Sequence, residues 1–400
     1  MISATKADSL LSSAIRGMTI NQHQDLPIQD TTPEILAEHL VADRDGPPFN
    51  RVAMDGIAIK FAKWNEGQRD FTIEGIQQAG ASCKSLKNTT NCLEVMTGAP
   101  LPLNTDTVIP YEHISRWEDK AILENHQVTE GQNIHFQGQD FKQGDPLVAK
   151  NLLLTPSRWT VAASMGYSLV KVITRPKIAV VSTGDELVPV EQKPLPHQIR
   201  TSNGWTLKAS LQQSGFKDVR LIHLKDDSRS METALAEILD SFDVILLSGG
   251  VSMGKFDFVP QALSNLKVEN IFHKIQQKPG KPLWFGTYQN QKLVFGLPGN
   301  PMSALVCYRR YVLPSLRTML SLADEPKPYA MMEGTIKLKK GFTNFIPVQI
   351  RYDNKGMTYA TPLKTNGSGD FSSLIQSDGF VEIPPDVEDT EGQAMRFFPW

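Results

Sequence analysis

The sequence predicts a multidomain protein of the α/β plus β class, built around a doubly wound, mostly parallel α/β domain. Residues 178–181 and 244–247 are short apolar runs bounded by polar positions, as expected of strands buried on both faces. Between them, apolar residues recur at helical spacing from Met231 to Leu239. Short strand patterns with turn signals flank this alternation, so β-rich domains are expected before and after it.

Changes of pattern along the 400 residues predict four domains. In the first, a helix is predicted to begin near Pro33, with Ile35, Leu36 and Leu40 on one face. The predicted boundaries place a helical and linker domain at residues 1–50 and 145–176, a β-rich inserted domain at 51–144, the α/β domain at 177–325 and a C-terminal β-barrel at 326–400.

The composition argues against several function classes. The formal net charge is -2, so no overall field favours nucleic acid or a membrane surface. Cys83, Cys92 and Cys307 have neither zinc-site nor disulfide-framework spacing. No apolar run approaches the ~18 residues that span a bilayer. We therefore expect a soluble, cytoplasmic protein without a nucleic acid or membrane partner, in which any anion site is local.

Two glycine turns predict an anion site at the edge of the sheet. The strand that ends at Ser248 continues into Gly249 and Gly250, where the missing Cβ atoms let backbone N–H groups approach a ligand. Further along, Asn300 and Pro301 are typical of an N-cap and a first helical position. The unpaired N–H groups of such a helix start also favour an anion.

A group of lysines strengthens this prediction. Lys274, Lys278 and Lys281 lie in a segment held by prolines and a glycine, which favours a semi-rigid cationic loop over a free helical face. Taken singly, each lysine is more typical of a solvated surface. Together with the glycine turns and the helix start, they indicate one anionic ligand.

Acidic residues follow three predicted strands of the α/β domain. Asp185 and Glu186 follow the first, Asp226 the second and Asp257 the third. The carboxyl ends of parallel strands meet at one edge of a sheet, so these side chains are expected to converge. Carboxylates beside a phosphate group suit shared Mg²⁺, which indicates metal-assisted hydrolysis or transfer at phosphorus. The alternative, that they only cap the helices that follow, stays open for Asp185, Glu186 and Asp226.

One motif match is not assigned. Residues Gly249 to Lys255 fit the first part of a phosphate-binding P-loop. The next residue is Phe256, where a P-loop needs the Ser or Thr hydroxyl that holds Mg²⁺. Lys255 is therefore interpreted as an exposed loop residue.

Six short motifs are spread in order over nearly the whole chain. They are Ala53-Met54-Asp55-Gly56, Met96-Thr97-Gly98-Ala99-Pro100, Ser182-Thr183-Gly184-Asp185-Glu186-Leu187, Ser248-Gly249-Gly250-Val251-Ser252, Lys278-Pro279-Gly280-Lys281-Pro282 and Gly296-Leu297-Pro298-Gly299-Asn300-Pro301. Their combination resembles the MoeA family of molybdopterin molybdenumtransferases, which is related to the E domains of gephyrin and of its plant homologue.

The resemblance implies an elongated homodimer of four domains whose α/β domain is MogA-like. It implies a role in molybdenum cofactor biosynthesis: molybdenum from molybdate enters adenylated molybdopterin, the adenylate is cleaved with Mg²⁺, and AMP leaves. The implied partners are these small molecules, a second copy of the chain, and a MogA-type adenylyltransferase that hands over the substrate.

The resemblance also implies roles for particular residues. The implied catalytic residues are Asp55, Thr97, Glu186, Asp226 and Asp257. The implied metal ligands are Asp185, Glu186, Asp226 and Asp257. The implied substrate-binding residues are Ser182, Thr183, Gly184, Ser248, Gly249, Gly250, Ser252, Lys274, Lys278, Lys281, Pro298, Gly299, Asn300, Pro301 and Ser368. Considered singly, Asp55, Thr97 and Ser368 are typical of structural turn positions.

The sequence departs from the family pattern in a few places. Thr201 stands where an acid commonly precedes the second helix, and Ile57 stands where tyrosine is frequent. In the C-terminal part, Arg351 lies near the place of one member of an arginine pair, and Ile346 stands where the other would fall.

Three functional hypotheses follow. The first is the molybdenum-inserting transferase. The second is a hydrolase with the same α/β unit, which cuts a nucleotide pyrophosphate without inserting metal. The third is a non-enzymatic scaffold of the gephyrin kind. Dependence of the product on molybdate separates the first two, and binding of adenylated molybdopterin separates both from the third.

Overall fold

The computed structural model describes residues 1–20, 22–31, 33–124, 126–225, 227–250, 258–322, 326–367 and 369–400. Four predicted site residues lie outside these ranges: Asp226, Ser252, Asp257 and Ser368.

A six-stranded mixed sheet forms the centre of the α/β domain. In spatial order its strands are Val219–Leu224, Ile178–Thr183, Val244–Ser248, Lys292–Leu297, Trp284–Tyr288 and Glu269–His273. The first four strands are parallel and the last two are antiparallel. The helices of this region are Asn203–Gln213, Ser228–Ser241, Val259–Asn265, Pro301–Cys307 and Leu313–Met319, with a π-helical turn at Tyr308–Val312. The predicted mostly parallel α/β domain is therefore confirmed.

Alternating side chains of the central strands fill two cores, one on each face of the sheet. Val180 and Leu246 point to one face, where Leu211 also packs. Their neighbours Val181 and Leu247 point to the opposite core. All five side chains are fully buried, which explains why both strands are apolar without alternation.

The first helix, Ala4–Ile15, packs onto this α/β domain. Its Ala7 and Leu11 belong to the same core as Leu316. Asp8 accepts two hydrogen bonds of 2.8 Å from the buried guanidinium of Arg310. The predicted boundaries assign residues 1–50 to another domain, whereas this helix is held by the α/β core.

Besides the first helix, the described part of the helical and linker region contains the helix Pro156–Ser164, the 3₁₀ turn Ile28–Asp30 and two short strand pairs. These pairs are His23–Pro27 with Leu169–Ile173 and Leu40–Val41 with Pro146–Val148. A third pair, Arg51–Val52 with Ile134–His135, joins the two ends of the inserted module. The helix predicted to begin near Pro33 is wrong. Ile35 and Leu36 form isolated bridges to Leu153 and Val172 instead, so both are buried by long-range pairing.

A second six-stranded sheet forms the inserted module. Its spatial order is Thr107–Pro110, Gly56–Ile59, Cys92–Val95, Asp70–Gln77, Lys120–Leu123 and Ile114–Trp117. Asp70–Gln77 runs parallel to Cys92–Val95, and the other neighbouring pairs are antiparallel. A short helix, Phe61–Asn65, and a 3₁₀ turn, Tyr111–His113, complete the described part of this module.

The C-terminal strands close into a five-stranded barrel. In order around the barrel they are Thr343–Tyr352, Thr358–Pro362, Tyr329–Met332, Ala394–Pro399 and Gly379–Ile383. The barrel closes because the long strand Thr343–Tyr352 pairs with both Thr358–Pro362 and Gly379–Ile383. In sequence, the helix Phe371–Gln376 lies between the strands Thr358–Pro362 and Gly379–Ile383. Outside the barrel, the short strands Leu187–Val188 and Ile199–Arg200 pair with each other. The predicted barrel is thus confirmed.

Within the part of the chain that the structure describes, every helix is too short or too polar to cross a bilayer.

Candidate functional site

The lysine loop is built on one fully buried glutamine. The Gln277 side chain donates to the carbonyl oxygen of Gly280 at 3.1 Å and accepts from the Tyr311 hydroxyl at 2.5 Å. Gly280 has φ +90°, and a Cβ there would lie 2.6 Å from the Gln277 amide nitrogen and 2.7 Å from Cys307 Sγ. Only glycine therefore fits this turn. It leaves Lys278 and Lys281 exposed.

This loop is also joined to the C-terminal barrel. Gln277–Lys278 runs as a short parallel strand beside Thr343–Tyr352, with Lys278 opposite Asn344. The N–H of Thr343 donates to the carbonyl oxygen of Gln276 at 3.0 Å. The position of Lys278 is thus fixed by two domains of the chain.

A cleft of about 1090 Å³ lies between the lysine loop and the barrel. Five predicted substrate-binding residues line it: Lys278, Lys281, Pro298, Gly299 and Asn300. Pro301, the first residue of the helix Pro301–Cys307, directly follows Asn300. The predicted convergence of the lysine loop with the second glycine turn is therefore observed in the structure.

Lys274 is not among the described residues that line the cleft with Lys278 and Lys281. Its φ is +71°, its N–H donates to Leu283, and its carbonyl oxygen accepts from Ile2. This backbone conformation turns the chain before the lysine loop begins.

The first glycine turn packs against the neighbouring strand end. Gly249 and Gly250 have φ +97° and +66°. A Cβ on Gly249 would lie 2.8 Å from the carbonyl oxygen of Thr183, and one on Gly250 would lie 2.7 Å from Thr183 Oγ1. Since Ser248 and Thr183 are also buried, Thr183 and the glycine turn form one tightly packed unit.

Asn203 connects the two glycine turns, and it was not among the predicted site residues. Its amide nitrogen donates to Ser248 Oγ at 3.0 Å and to the carbonyl oxygen of Gly299 at 2.7 Å. In the sequence, Asn203 follows Thr201 by two residues, at the expected start of the second helix, and this position alone indicates no contact with either glycine turn. The family-like segment Thr201-Ser202-Asn203 was the signal that could have identified it.

Two buried oxygens at this junction stand out. Thr183 Oγ1 and Asn203 Oδ1 have no hydrogen-bond partner within the described ranges. Buried polar atoms in native proteins are nearly always paired, so an unpaired one needs an explanation. Both atoms belong to residues that contact the Ser248 turn, which favours a ligand or ion site there over a purely structural role.

Ser182 lies beside a second, smaller cavity. This cavity has a volume of about 290 Å³ and is lined by Ser182, Thr201 and Trp205 among others. Ser182 is buried, and its Oγ lies 3.3 Å from the position that a Cβ on Gly204 would take. Ser182 thus lines the small cavity, while the next residue, Thr183, packs against the glycine turn.

Two predicted metal ligands lie at the expected edge of the sheet. Asp185 and Glu186 directly follow the strand Ile178–Thr183, and both are exposed. Gly184 has φ +139°, and a Cβ there would lie 2.5 Å from Glu186 Oε2, so the carboxylate folds over the glycine. No group of three or more His, Cys, Asp or Glu side chains among the described residues is arranged to hold a metal ion.

Asp55 and Thr97 form a pair within the inserted module. Asp55 Oδ1 accepts from the Thr97 N–H at 2.6 Å and from Thr97 Oγ1 at 2.7 Å. These bonds, the backbone one first, lower the pKa of Asp55 below its ordinary value. Gly56 permits the turn, since a Cβ there would lie 1.9 Å from the Ile109 carbonyl oxygen. Neither residue is part of the described lining of the lysine cleft.

Comparison with known proteins gives three matches to family models. Residues 2–166 match the MoeA N-terminal region (domains I and II), residues 179–318 match a probable molybdopterin binding domain, and residues 329–400 match the MoeA C-terminal region (domain IV). The fold and the site thus define a class of multidomain proteins that join an α/β domain of this type to a C-terminal barrel.

Individual relatives identify the family within this class. The chain is 38% identical to a molybdopterin molybdenumtransferase of Synechocystis over 92% of each sequence, and 32% identical to one of Haemophilus influenzae over 90% of each. A crystal structure of a molybdopterin biosynthesis MoeA protein from Pyrococcus horikoshii matches all of both chains, with a TM-score of 0.85 and 28% identity. The chain belongs to the molybdopterin molybdenumtransferase family, enzymes of molybdenum cofactor biosynthesis.

Proposed function

We propose that this enzyme inserts molybdenum from molybdate into adenylated molybdopterin, with Mg²⁺-dependent cleavage of the adenylate and release of AMP. The observation that carries the proposal is the cleft in which Lys278 and Lys281 meet the turn at Pro298, Gly299 and Asn300. Such a cleft suits an oxyanion substrate, because ammonium groups and a helix start both favour negative charge.

The lysines have a binding role in this proposal. Lys278 and Lys281 donate hydrogen bonds to the oxygens of molybdate, and the cis peptide bond between Lys278 and Pro279 belongs to the loop that presents them. The Gln277–Gly280 hydrogen bond holds the backbone of the loop whose lysines line the cleft. Pre-positioned donors lose little conformational entropy when the anion binds.

The carboxylates would hold the cation. Asp185 and Glu186 offer hard oxygen ligands at the strand end, which is the donor chemistry that Mg²⁺ prefers. Asp226 and Asp257, which lie outside the described residues, are proposed from the sequence alone as the other ligands of this cation. The bound cation supplies charge neutralisation at the phosphate oxygens. The buried Thr183 hydroxyl, two residues before Asp185 in the chain, is available to orient the same phosphate group.

Asp55 and Thr97 are assigned to the reaction through a second copy of the chain. Neither residue lines the described cleft of its own chain, so a homodimer in which the inserted module faces the partner's cleft would bring them to the substrate. Like any exposed aspartate, Asp55 is ionised at neutral pH. The two bonds from Thr97 lower its pKa further and hold the carboxylate in place to bind or orient a cationic or proton-donating partner. The adenylated substrate is proposed to come from a MogA-type adenylyltransferase.

The decisive experiment measures AMP release from adenylated molybdopterin by the purified chain. The transferase predicts AMP formation that depends on both molybdate and Mg²⁺, together with molybdenum bound to the pterin product. AMP release without molybdate would instead indicate the pyrophosphate hydrolase. Failure to bind adenylated molybdopterin would leave the gephyrin-like scaffold.

A further inference from the structure

The barrel wall of the cleft is cationic as well. Lys337, Lys339 and Lys364 line the cleft from the C-terminal barrel, opposite the lysine loop, and all three are exposed. None of them was among the residues that the sequence pattern or the family resemblance pointed to. The cleft therefore has two groups of lysines, each carried by a different domain.

The positive charge of the cleft is not neutralised by its own walls. Among the described residues that line it, there is no aspartate or glutamate. The neighbouring Lys340 differs in this respect, since its ammonium group pairs with Glu388 at 2.9 Å and it does not line the cleft. Lysines grouped on a concave surface without carboxylates raise the local concentration of anions.

One buried side chain connects the Lys339 segment of the barrel to the lysine loop. Asn344 accepts from the Lys339 N–H at 3.0 Å and donates to the carbonyl oxygens of Lys339 and Phe342 at 3.2 and 2.8 Å. The same residue lies opposite Lys278 in the strand pair. The Lys339 ammonium group also lies 3.9 Å from the centre of the Phe342 ring. Asn344 thus ties the backbone at Lys339 to the strand pair that carries Lys278.

The size of the cleft exceeds what one oxyanion needs. Ligand pockets for whole drug-sized molecules measure roughly 300–1,000 Å³, and this cleft has about 1090 Å³. A single tetrahedral anion bound by Lys278 and Lys281 would leave the barrel lysines without a ligand.

We propose that the cleft holds two anionic groups at once: Lys278 and Lys281 bind the oxyanion, and Lys337 and Lys364 bind a phosphate or phosphoanhydride group of the second substrate. The identity of the oxyanion as molybdate rests on the proposed function; the second subsite rests on the barrel lysines alone. The ligand class is a phosphorylated molecule that reaches from the barrel wall of the cleft towards the turn at Gly299.

The test uses the full chain, with molybdate and inorganic pyrophosphate as probes in titration calorimetry. The wild-type chain is expected to bind pyrophosphate while molybdate is saturating. Lys337→Ala and Lys364→Ala should each weaken pyrophosphate binding about tenfold and change molybdate affinity less than twofold. Lys337→Arg, which keeps the charge, should restore most of the affinity. Lys340→Ala is the matched control, because it removes a lysine of the same segment outside the cleft, and it should change neither affinity.

Two results would overturn the second subsite. One is displacement of molybdate by pyrophosphate in a one-to-one manner, which means a single anion site. The other is an equal loss of pyrophosphate affinity in Lys340→Ala and Lys337→Ala, which means a general charge effect. Failure of the proposed function gives a different pattern: molybdate does not bind the wild-type chain, while pyrophosphate still binds through Lys337 and Lys364. Since these lysines are exposed, thermal unfolding of each variant is expected to match that of the wild type.

Discussion

Asn203 donates its side-chain amide to the main-chain carbonyl oxygen of Gly299 across 2.7 Å, and this bond joins the first glycine turn to the lysine cleft. The same nitrogen reaches Ser248 Oγ at 3.0 Å. The orientation of the amide follows from its partners, because the carbonyl oxygen of Gly299 can only accept. The Asn203 oxygen therefore faces away from Gly299, as a buried acceptor.

Replacing Asn203 tests this junction. In Asn203→Asp the side chain keeps its size but puts a carboxylate oxygen against the Gly299 carbonyl, so the bond is lost and repulsion replaces it. We expect molybdate-dependent AMP release to fall about tenfold or more, since a hydrogen bond lost at a buried group costs about 1–3 kcal/mol. Gln212→Ala, an exposed position on the same helix, should leave the rate unchanged. A wild-type rate in Asn203→Asp would exclude the junction from the reaction.

The turn at Gly280 is expected to tolerate no side chain. In Gly280→Ala the new Cβ would approach Gln277 and Cys307 to within 2.7 Å in a left-handed conformation. The free energy of unfolding should drop by about 1–3 kcal/mol, and molybdate affinity should fall as the lysine loop shifts. Denaturant unfolding and calorimetry measure both. Gly299→Ala is the control for stability, because the nearest atom to its Cβ lies 4.0 Å away.

The Asp55–Thr97 pair predicts a pH dependence with a definite sign. In the folded protein the pKa of Asp55 is below its ordinary value of 3.8, so the pair stabilises the fold above that value and loses this contribution as pH falls through the folded pKa. Thr97→Ala removes the hydroxyl bond and should raise the pKa of Asp55 part of the way back, while Thr97→Ser should not. Carbon-13 NMR of the Asp55 carboxyl group measures the shift. An unchanged pKa in Thr97→Ala would show that the backbone bond alone sets it.

Arg310 is expected to be among the most sensitive structural positions. Its side chain is 8% exposed and binds both Asp8 and Glu382, at 2.8 and 3.0 Å. Arg310→Met should lower the free energy of unfolding by about 3–5 kcal/mol, because it leaves the largely buried Glu382 carboxylate without its main partner. Arg351→Met, which breaks an exposed pair with Glu333, should have little effect. Similar unfolding midpoints for the two variants would contradict this ranking.

The sequence predicted the α/β domain well because its signals are local. The strands Ile178–Thr183 and Val244–Ser248 contain apolar runs that need no distant partner to be recognised. Asp227 caps its helix through a bond to the Ser230 N–H, which short-range sequence rules also capture. The helix expected near Pro33 failed for the opposite reason. Its apolar spacing is helical, but Ile35 and Leu36 instead form backbone bridges to Leu153 and Val172, which are distant in sequence.

The site was only partly predictable for the same physical reason. The spacing of Lys278 and Lys281 around a proline and a glycine indicated an anion loop. That spacing could not show that the Gln277 side chain binds the carbonyl oxygen of Gly280 inside the loop. It also could not show that Lys278 pairs with Asn344 of the barrel. Asn203 was overlooked because a helix start explained it locally, whereas its contacts to Ser248 and Gly299 join residues about 45 and 96 positions away.

The pairing of Gln277–Lys278 with the barrel strand Thr343–Tyr352 has a consequence for protein engineering. A chimera that exchanges the C-terminal barrel between relatives must carry over the edge against which this two-residue strand docks. A chimera that does not preserve this pairing of Gln277–Lys278 with the barrel edge would shift the register of Lys278, even when both parent domains fold. Substrate selectivity in such hybrids should therefore depend on which parent supplies this barrel edge as much as on which parent supplies the α/β domain.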